Sequence, residues 1–188
     1  RQYYEYMNLP DPEYYYTYSY GDADFFVLDS EKPMGPGSEQ YLWLDNQLAD
    51  SNARWKFIVH HRPAYSSEEN DHGNAWLGPT TLGDLNPRQM VPLYEKYGVD
   101  IVFNGHLHLY ERTFPIREGE AVEHNGVIYM TIGGGGGGLE DFAPFNPWFG
   151  SKKASTHHLC YVEIVGGHLR LQAIDDRGRL FDTIEIRK

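Results

Sequence analysis

Val99 to Arg112, read V-D-I-V-F-N-G-H-L-H-L-Y-E-R, is the stretch that decides the fold. Val99 to Phe103 is a short apolar run of the kind that forms a buried strand. It runs straight into Asn104-Gly105-His106, and α/β folds place reactive groups on loops at strand ends, held by a rigid scaffold. His106 and His108 are two apart, so in extended backbone they project to one side, roughly 7 Å apart along the chain. That spacing suits two neighbouring cations, which lie ~3.5–4 Å apart in dinuclear hydrolases. Neutral imidazole is a common ligand for zinc, iron and related ions.

Working outward, Trp55 to His60 (W-K-F-I-V-H) reads as another buried strand and again ends at a histidine, His61. Phe25 to Leu28 is a third strand, entered through a turn at Gly21-Asp22. Between them Ser38 is the expected N-cap of a helix reaching Asp50, with Tyr41, Leu44 and Leu48 on one stripe. Asn86-Pro87 reads as N-cap and N1 of a second helix, with Gln89 completing a weak capping box. Pro92 should kink that helix or mark its true start, and Gly98 suits its end. Val127 to Ile132 repeats the strand-then-loop arrangement, ending in six glycines, Gly133 to Gly138. Leu159–Val165, Leu169–Ile174 and Leu180–Ile186 form an expected antiparallel meander with turns at Gly166-Gly167 and Asp176–Gly178. The fold class is α/β (α+β): a mixed sheet with helices on one face, followed by the meander.

The 188 residues suit one domain, and 40% hydrophobic content supports a real core. No apolar run approaches the ~18 residues of a membrane span, and Arg1-Gln2-Tyr3-Tyr4 lacks the apolar core of a signal peptide. The net charge of −11 argues against a broad nucleic-acid-binding surface. The single Cys160 excludes an internal disulfide framework and a multi-cysteine zinc site.

Three blocks, W-K-F-I-V-H-H-R-P-A-Y-S-S, V-D-I-V-F-N-G-H-L-H-L-Y-E-R and I-Y-M-T-I-G-G-G-G, together resemble the C-terminal half of a purple acid phosphatase-like (calcineurin-like) metallophosphoesterase. Y-S-Y-G-D-A-D-F-F-V-L-D-S-E and G-S-E-Q-Y-L-W-L resemble that family's central segment. The resemblance implies the C-terminal half of a four-layer αββα sandwich, with residues 1–188 as one portion of the catalytic domain. It assigns His61 (in His61-Arg62-Pro63) and His106 to one metal and His108 to the other. The implied cofactors are two divalent or trivalent ions, Fe with Zn, Mn or Fe. It also implies hydrolysis of phosphoric esters by a metal-activated water, and an extracytoplasmic or secreted setting.

The family's upstream aspartate, G-D-x-x-Y and G-N-H-[DE] blocks do not occur here before Tyr15. Asp22 and Asp24 read as turn residues. The expectation is therefore a chain that binds at most one metal, weakly. It would need a missing N-terminal half or self-associate through an exposed sheet edge. His72, in the polar loop after His61, is the candidate general acid for the leaving group. His60, His157 and His158 are candidate residues behind the ligands, and Glu111-Arg112 would orient the histidine loop by ion pairing. The glycine run either approaches a phosphate through its N–H groups or is a turn near the site. The alternative function is a non-catalytic metallophosphatase-like binding or structural module.

Overall fold

The structure is a computed structural model that describes residues 6–71 and 78–188. Twelve strands and three helices carry the described fold. A seven-stranded sheet has the order β1 (Tyr16–Tyr20), β2 (Ala23–Val27), β3 (Trp55–His60), β4 (Ile101–Asn104), β8 (Ile128–Ile132), β5 (Tyr110–Thr113) and β9 (Gly150–Ala154). β2, β3, β4 and β8 are parallel, and the flanking β1, β5 and β9 are antiparallel. A second sheet is the expected meander of β10 (His158–Val165), β11 (His168–Asp175) and β12 (Leu180–Arg187). β6 (Ile116–Arg117) and β7 (Glu120–Ala121) make a small hairpin.

Alternation along the parallel strands builds two cores. On one face Phe26, Ile58, Val102 and Tyr129 pack against Leu44 and Leu48 of α1 (Glu39–Asp50) and Leu93 and Tyr94 of α3 (Val91–Lys96). On the other, Ala23, Trp55, Phe57, Ile101 and Met130 meet Leu169, Leu171 and Ala173 of β11. The result is a helix layer, a mixed sheet and an antiparallel sheet, in agreement with the fold class read from the sequence. Trp55, fully buried, also donates its indole N–H to the Gly166 carbonyl at 2.9 Å, tying β3 to the meander turn.

Ser38 caps α1 as expected, accepting from the Tyr41 amide. The second helix differs from its sequence reading. Asp84, not Asn86, is the N-cap of α2 (Leu85–Arg88), its carboxylate accepting from the Asn86 amide at 2.8 Å. Asn86 instead bridges to the 30–34 loop, donating to the Ser30 and Lys32 carbonyls and accepting from the Met34 amide. Pro92 marks the start of α3, where a missing N–H costs nothing. The tyrosine-rich opening adds a strand that has no buried face to betray it: β1 is an edge strand with Tyr18 and Tyr20 exposed. Asp24 is a strand residue rather than a turn residue, accepting from the Ser19 and Ser51 hydroxyls at 2.6 Å each.

Candidate metal centre

The parallel strands deliver the site at their C-terminal ends. β3 ends at His60, β4 at Asn104, and the two are register partners. His61 and the loop Gly105 to Leu109 follow, and the Gly105 amide donates to the His61 carbonyl at 3.1 Å. The histidine loop is not extended as the sequence spacing supposed. The Leu107 amide bonds the Gly105 carbonyl and the Leu109 amide bonds the Leu107 carbonyl, so the chain turns tightly twice. His106 sits at φ 66°, a left-handed conformation costing about 1–2 kcal/mol for a residue with a Cβ. Buried Leu107 and Leu109 anchor the turns from below.

This backbone brings His61 and His106 together. His61 Nε2 and His106 Nδ1 are 3.2 Å apart, with the rings edge to face. Two nitrogens each ~2.1 Å from one cation would subtend roughly 100° at that separation, close to a tetrahedral angle. The pair therefore fits one cation. His61 is held below the usual histidine pKa by partial desolvation and by the neighbouring His106, which favours the neutral form a ligand needs. His108 takes another direction: its Nδ1 lies 2.8 Å from the Gly138 carbonyl and its amide donates to Glu140 at 2.6 Å. Among the described residues no group of three or more His, Cys, Asp or Glu side chains converges to hold a metal.

The glycine run packs around this loop. A Cβ at Gly133 would lie 2.1 Å from the Leu107 carbonyl oxygen, and one at Gly137 would lie 2.6 Å from the His108 ring. These glycines are small because the histidine loop presses on them.

His60 faces the helix layer, buried, with Nδ1 2.8 Å from the Arg62 carbonyl and its ring beside Tyr94. Burial pushes its pKa down to about 4. Glu111 and Arg112 do not pair with each other or with the histidine loop, because successive strand residues point to opposite faces. Glu111, 1% exposed, accepts from both hydroxyls of Ser66 and Ser67 and from the Ser67 amide. Burial raises its pKa, and the serine bonds oppose that. Arg112 instead makes a two-pronged pair with Asp182 at 2.7 and 3.0 Å, joining β5 to β12. His157 and His158 sit against the backbone of Gly134 and Thr156, at 3.3 and 2.8 Å, and the His158 ring packs on Tyr110. His72 lies outside the described residues.

Two neighbours were not singled out in the sequence. Asp71 Oδ2 lies 3.2 Å from His106 Nε2. Arg62 is held between Glu31, at 2.5 Å, and Asp84, at 3.7 Å, beside the histidines. Both are polar loop residues with no periodic signal, brought to the site only by the fold.

A profile of the calcineurin-like phosphoesterases matches residues 2–110, more than half of the sequence. The chain belongs to the calcineurin-like phosphoesterase family. Its relatives are purple acid phosphatases. It is 33% identical over 150 residues to probable inactive purple acid phosphatase 24 of Arabidopsis thaliana, covering 72% of this chain and 23% of that one. It is 34% identical over 125 residues to purple acid phosphatase 18 of the same plant, covering 65% and 26%. The structure of purple acid phosphatase PPD1 from yellow lupin (Lupinus luteus) seeds superposes with a TM-score of 0.84 at 27% identity, covering 97% of this chain and 34% of that chain. The chain thus spans about a quarter of the length of these curated relatives.

Proposed function

We propose that this phosphoesterase-family chain carries the histidine side of a dinuclear centre that hydrolyses phosphoric esters. The observation that carries this is the 3.2 Å approach of His61 Nε2 to His106 Nδ1 at the ends of two parallel strands. His61 and His106 would hold one ion, and His108 the other after turning from the Gly138 carbonyl. Bound cations would supply Lewis-acid stabilisation of the phosphate and a water acidic enough to lose a proton near neutral pH. The chain's own residues orient the ligands: the left-handed turn at His106 and the glycine packing set the loop. His72 is the proposed proton donor to the leaving oxygen.

Carboxylate ligands for such a centre would come from residues outside this chain, which spans about a quarter of its curated relatives' length. A cleft of about 450 Å³ between Phe25, Phe57 and Phe103 of the large sheet and Val162 and Ile164 of β10 is our proposed seat for strands from that part. In their absence the β10 edge would promote self-association. We place the whole protein outside the cytoplasm, by family likeness.

The test combines elemental analysis with p-nitrophenyl phosphate turnover, on residues 1–188 and on a longer chain that includes the upstream blocks. The longer chain should hold two ions and turn over substrate, and His61→Ala, His106→Ala or His108→Ala should remove most activity and metal. Full activity with normal metal in any of these variants would overturn the assignment. A second reading is a non-catalytic module of this fold. It is favoured by the convergence of two imidazoles, and no further ligand, among the described residues, and several relatives bear the name inactive. Absence of the aspartate-bearing blocks upstream would select it.

A further inference from the structure

We infer that Asp71 is a positioning residue for His106, accepting its Nε2 proton and so presenting the Nδ1 lone pair toward His61. This rests on the metal-centre reading above and adds a residue that the histidine motifs do not contain. The two ring nitrogens of His106 face different partners: Nδ1 faces His61 Nε2 and Nε2 faces Asp71 Oδ2, each at 3.2 Å. A carboxylate can only accept there, so the ring proton belongs on Nε2. Nδ1 is then left as a lone pair aimed where a shared cation would sit. Metal-binding histidines recurrently donate their second N–H to a carboxylate, which sets the tautomer and makes the ligand more basic.

Asp71 is half exposed, and an exposed pair alone would be worth little. Its position is built from inside. The carboxylate of Glu68, 1% exposed, accepts from the Asn70 and Asp71 amides at 2.8 and 2.6 Å and fixes that turn. The Glu68 amide donates to Ser66 Oγ, whose hydroxyl donates to Glu111 Oε2. Glu111 stands on β5, the strand that follows the histidine loop. A chain of hydrogen bonds, buried at Glu111, Ser66 and Glu68, therefore runs from β5 to the Asp71 amide, whose residue carries the carboxylate that touches His106. The loop after His61 and the loop after β4 are set against each other through it.

The experiment uses residues 1–188 as wild type, Asp71→Ala and Asp71→Glu at pH 8, where ordinary imidazoles are neutral. Long-range ¹H–¹⁵N NMR of the metal-free protein reads the His106 tautomer, and cobalt(II) titration followed by visible absorption reads affinity. Wild type should show the Nε2–H form. Asp71→Ala should show a mixture and bind cobalt roughly 10–100-fold more weakly, and Asp71→Glu should recover part of both. An unchanged His106 tautomer in Asp71→Ala would overturn the inference whatever the cobalt result. A changed tautomer with unchanged cobalt affinity would also overturn it, since the residue would then position nothing for a metal. If residues 1–188 bind no cobalt while the tautomer still depends on Asp71, the Asp71–His106 coupling stands and the cobalt comparison is made on the longer chain with the upstream blocks. There, equal affinity with and without Asp71 overturns the inference, and no binding at all makes the metal-centre reading fail.

Discussion

His60 should make this protein lose stability in mild acid, beginning near pH 6.5. Its imidazole is fully buried, its Nδ1 lies 2.8 Å from the Arg62 carbonyl and 2.9 Å from Asn104 Nδ2, and its Nε2 has no partner among the described residues. Protonation would place an N–H at Nε2 with no acceptor and a charge with no solvent. The folded pKa is accordingly pushed down to about 4 from an ordinary 6.5. Between these values the unfolded chain binds a proton that the native chain refuses, so stability rises with pH there. The contribution is complete above 6.5 and is lost as pH falls through about 4, a difference of about 3 kcal/mol at 1.36 kcal/mol per pKa unit. The assay is urea unfolding by tryptophan fluorescence from pH 7.5 to 4, on wild type and on His60→Asn. The asparagine amide can still donate to the Arg62 carbonyl but cannot titrate. The wild-type curve should fall more steeply, by about 3 kcal/mol over the interval. Parallel curves for the two proteins would show that His60 charges without penalty and refute the argument.

Three further outcomes follow from the packing. Glu111→Gln should cost about 1–3 kcal/mol in urea unfolding, because its amide would face the Ser67 N–H where a carboxylate oxygen now accepts. Gly133→Ala should destabilise by roughly 1–3 kcal/mol and shift the His108 resonances, since its Cβ would press on the Leu107 carbonyl inside the turn. Asp182→Ala should cost roughly 2–4 kcal/mol by leaving the partly buried Arg112 without its carboxylate, with the Ser151 hydroxyl as its remaining side-chain partner. Burial alone would raise the Asp182 pKa, but bonds from Arg112 and Tyr110 outweigh it and hold it low. Its stabilisation is therefore present above the ordinary carboxylate range and fades as pH falls through the lower folded value. Wild type and variant should converge in acid, and a gap that stays constant down to pH 2 would count against the pairing.

Several elements were legible in the sequence because their signal is local. The W-K-F-I-V-H run was read with the boundaries of β3, and the cap and stripe after Ser38 with those of α1. The three C-terminal strands showed clear runs separated by glycine turns, and one residue at each end is all that separates reading from structure in β11. β1, β5 and β9 were not legible. β1 and β9 lie at the edges of the large sheet, and Gly150 to Ala154 offers no alternation to read. The cap at Asp84 was missed because Asn86 is an equally good capping residue, and only the 30–34 loop decides which of them is used elsewhere.

The sequence by itself determined which residues could ligate and that they stand at strand ends, because side-chain chemistry and short apolar runs are properties of the chain. Tertiary structure alone decided which of them meet. Register between β3 and β4 puts His61 beside His106, and two tight turns send the neighbouring His108 to the glycine loop instead. The same holds for Asp71, 35 residues from His106 along the chain. Its approach depends on a hydrogen-bond chain anchored at buried Glu111 on a strand that the sequence did not show, and no local pattern encodes a contact made through three other side chains.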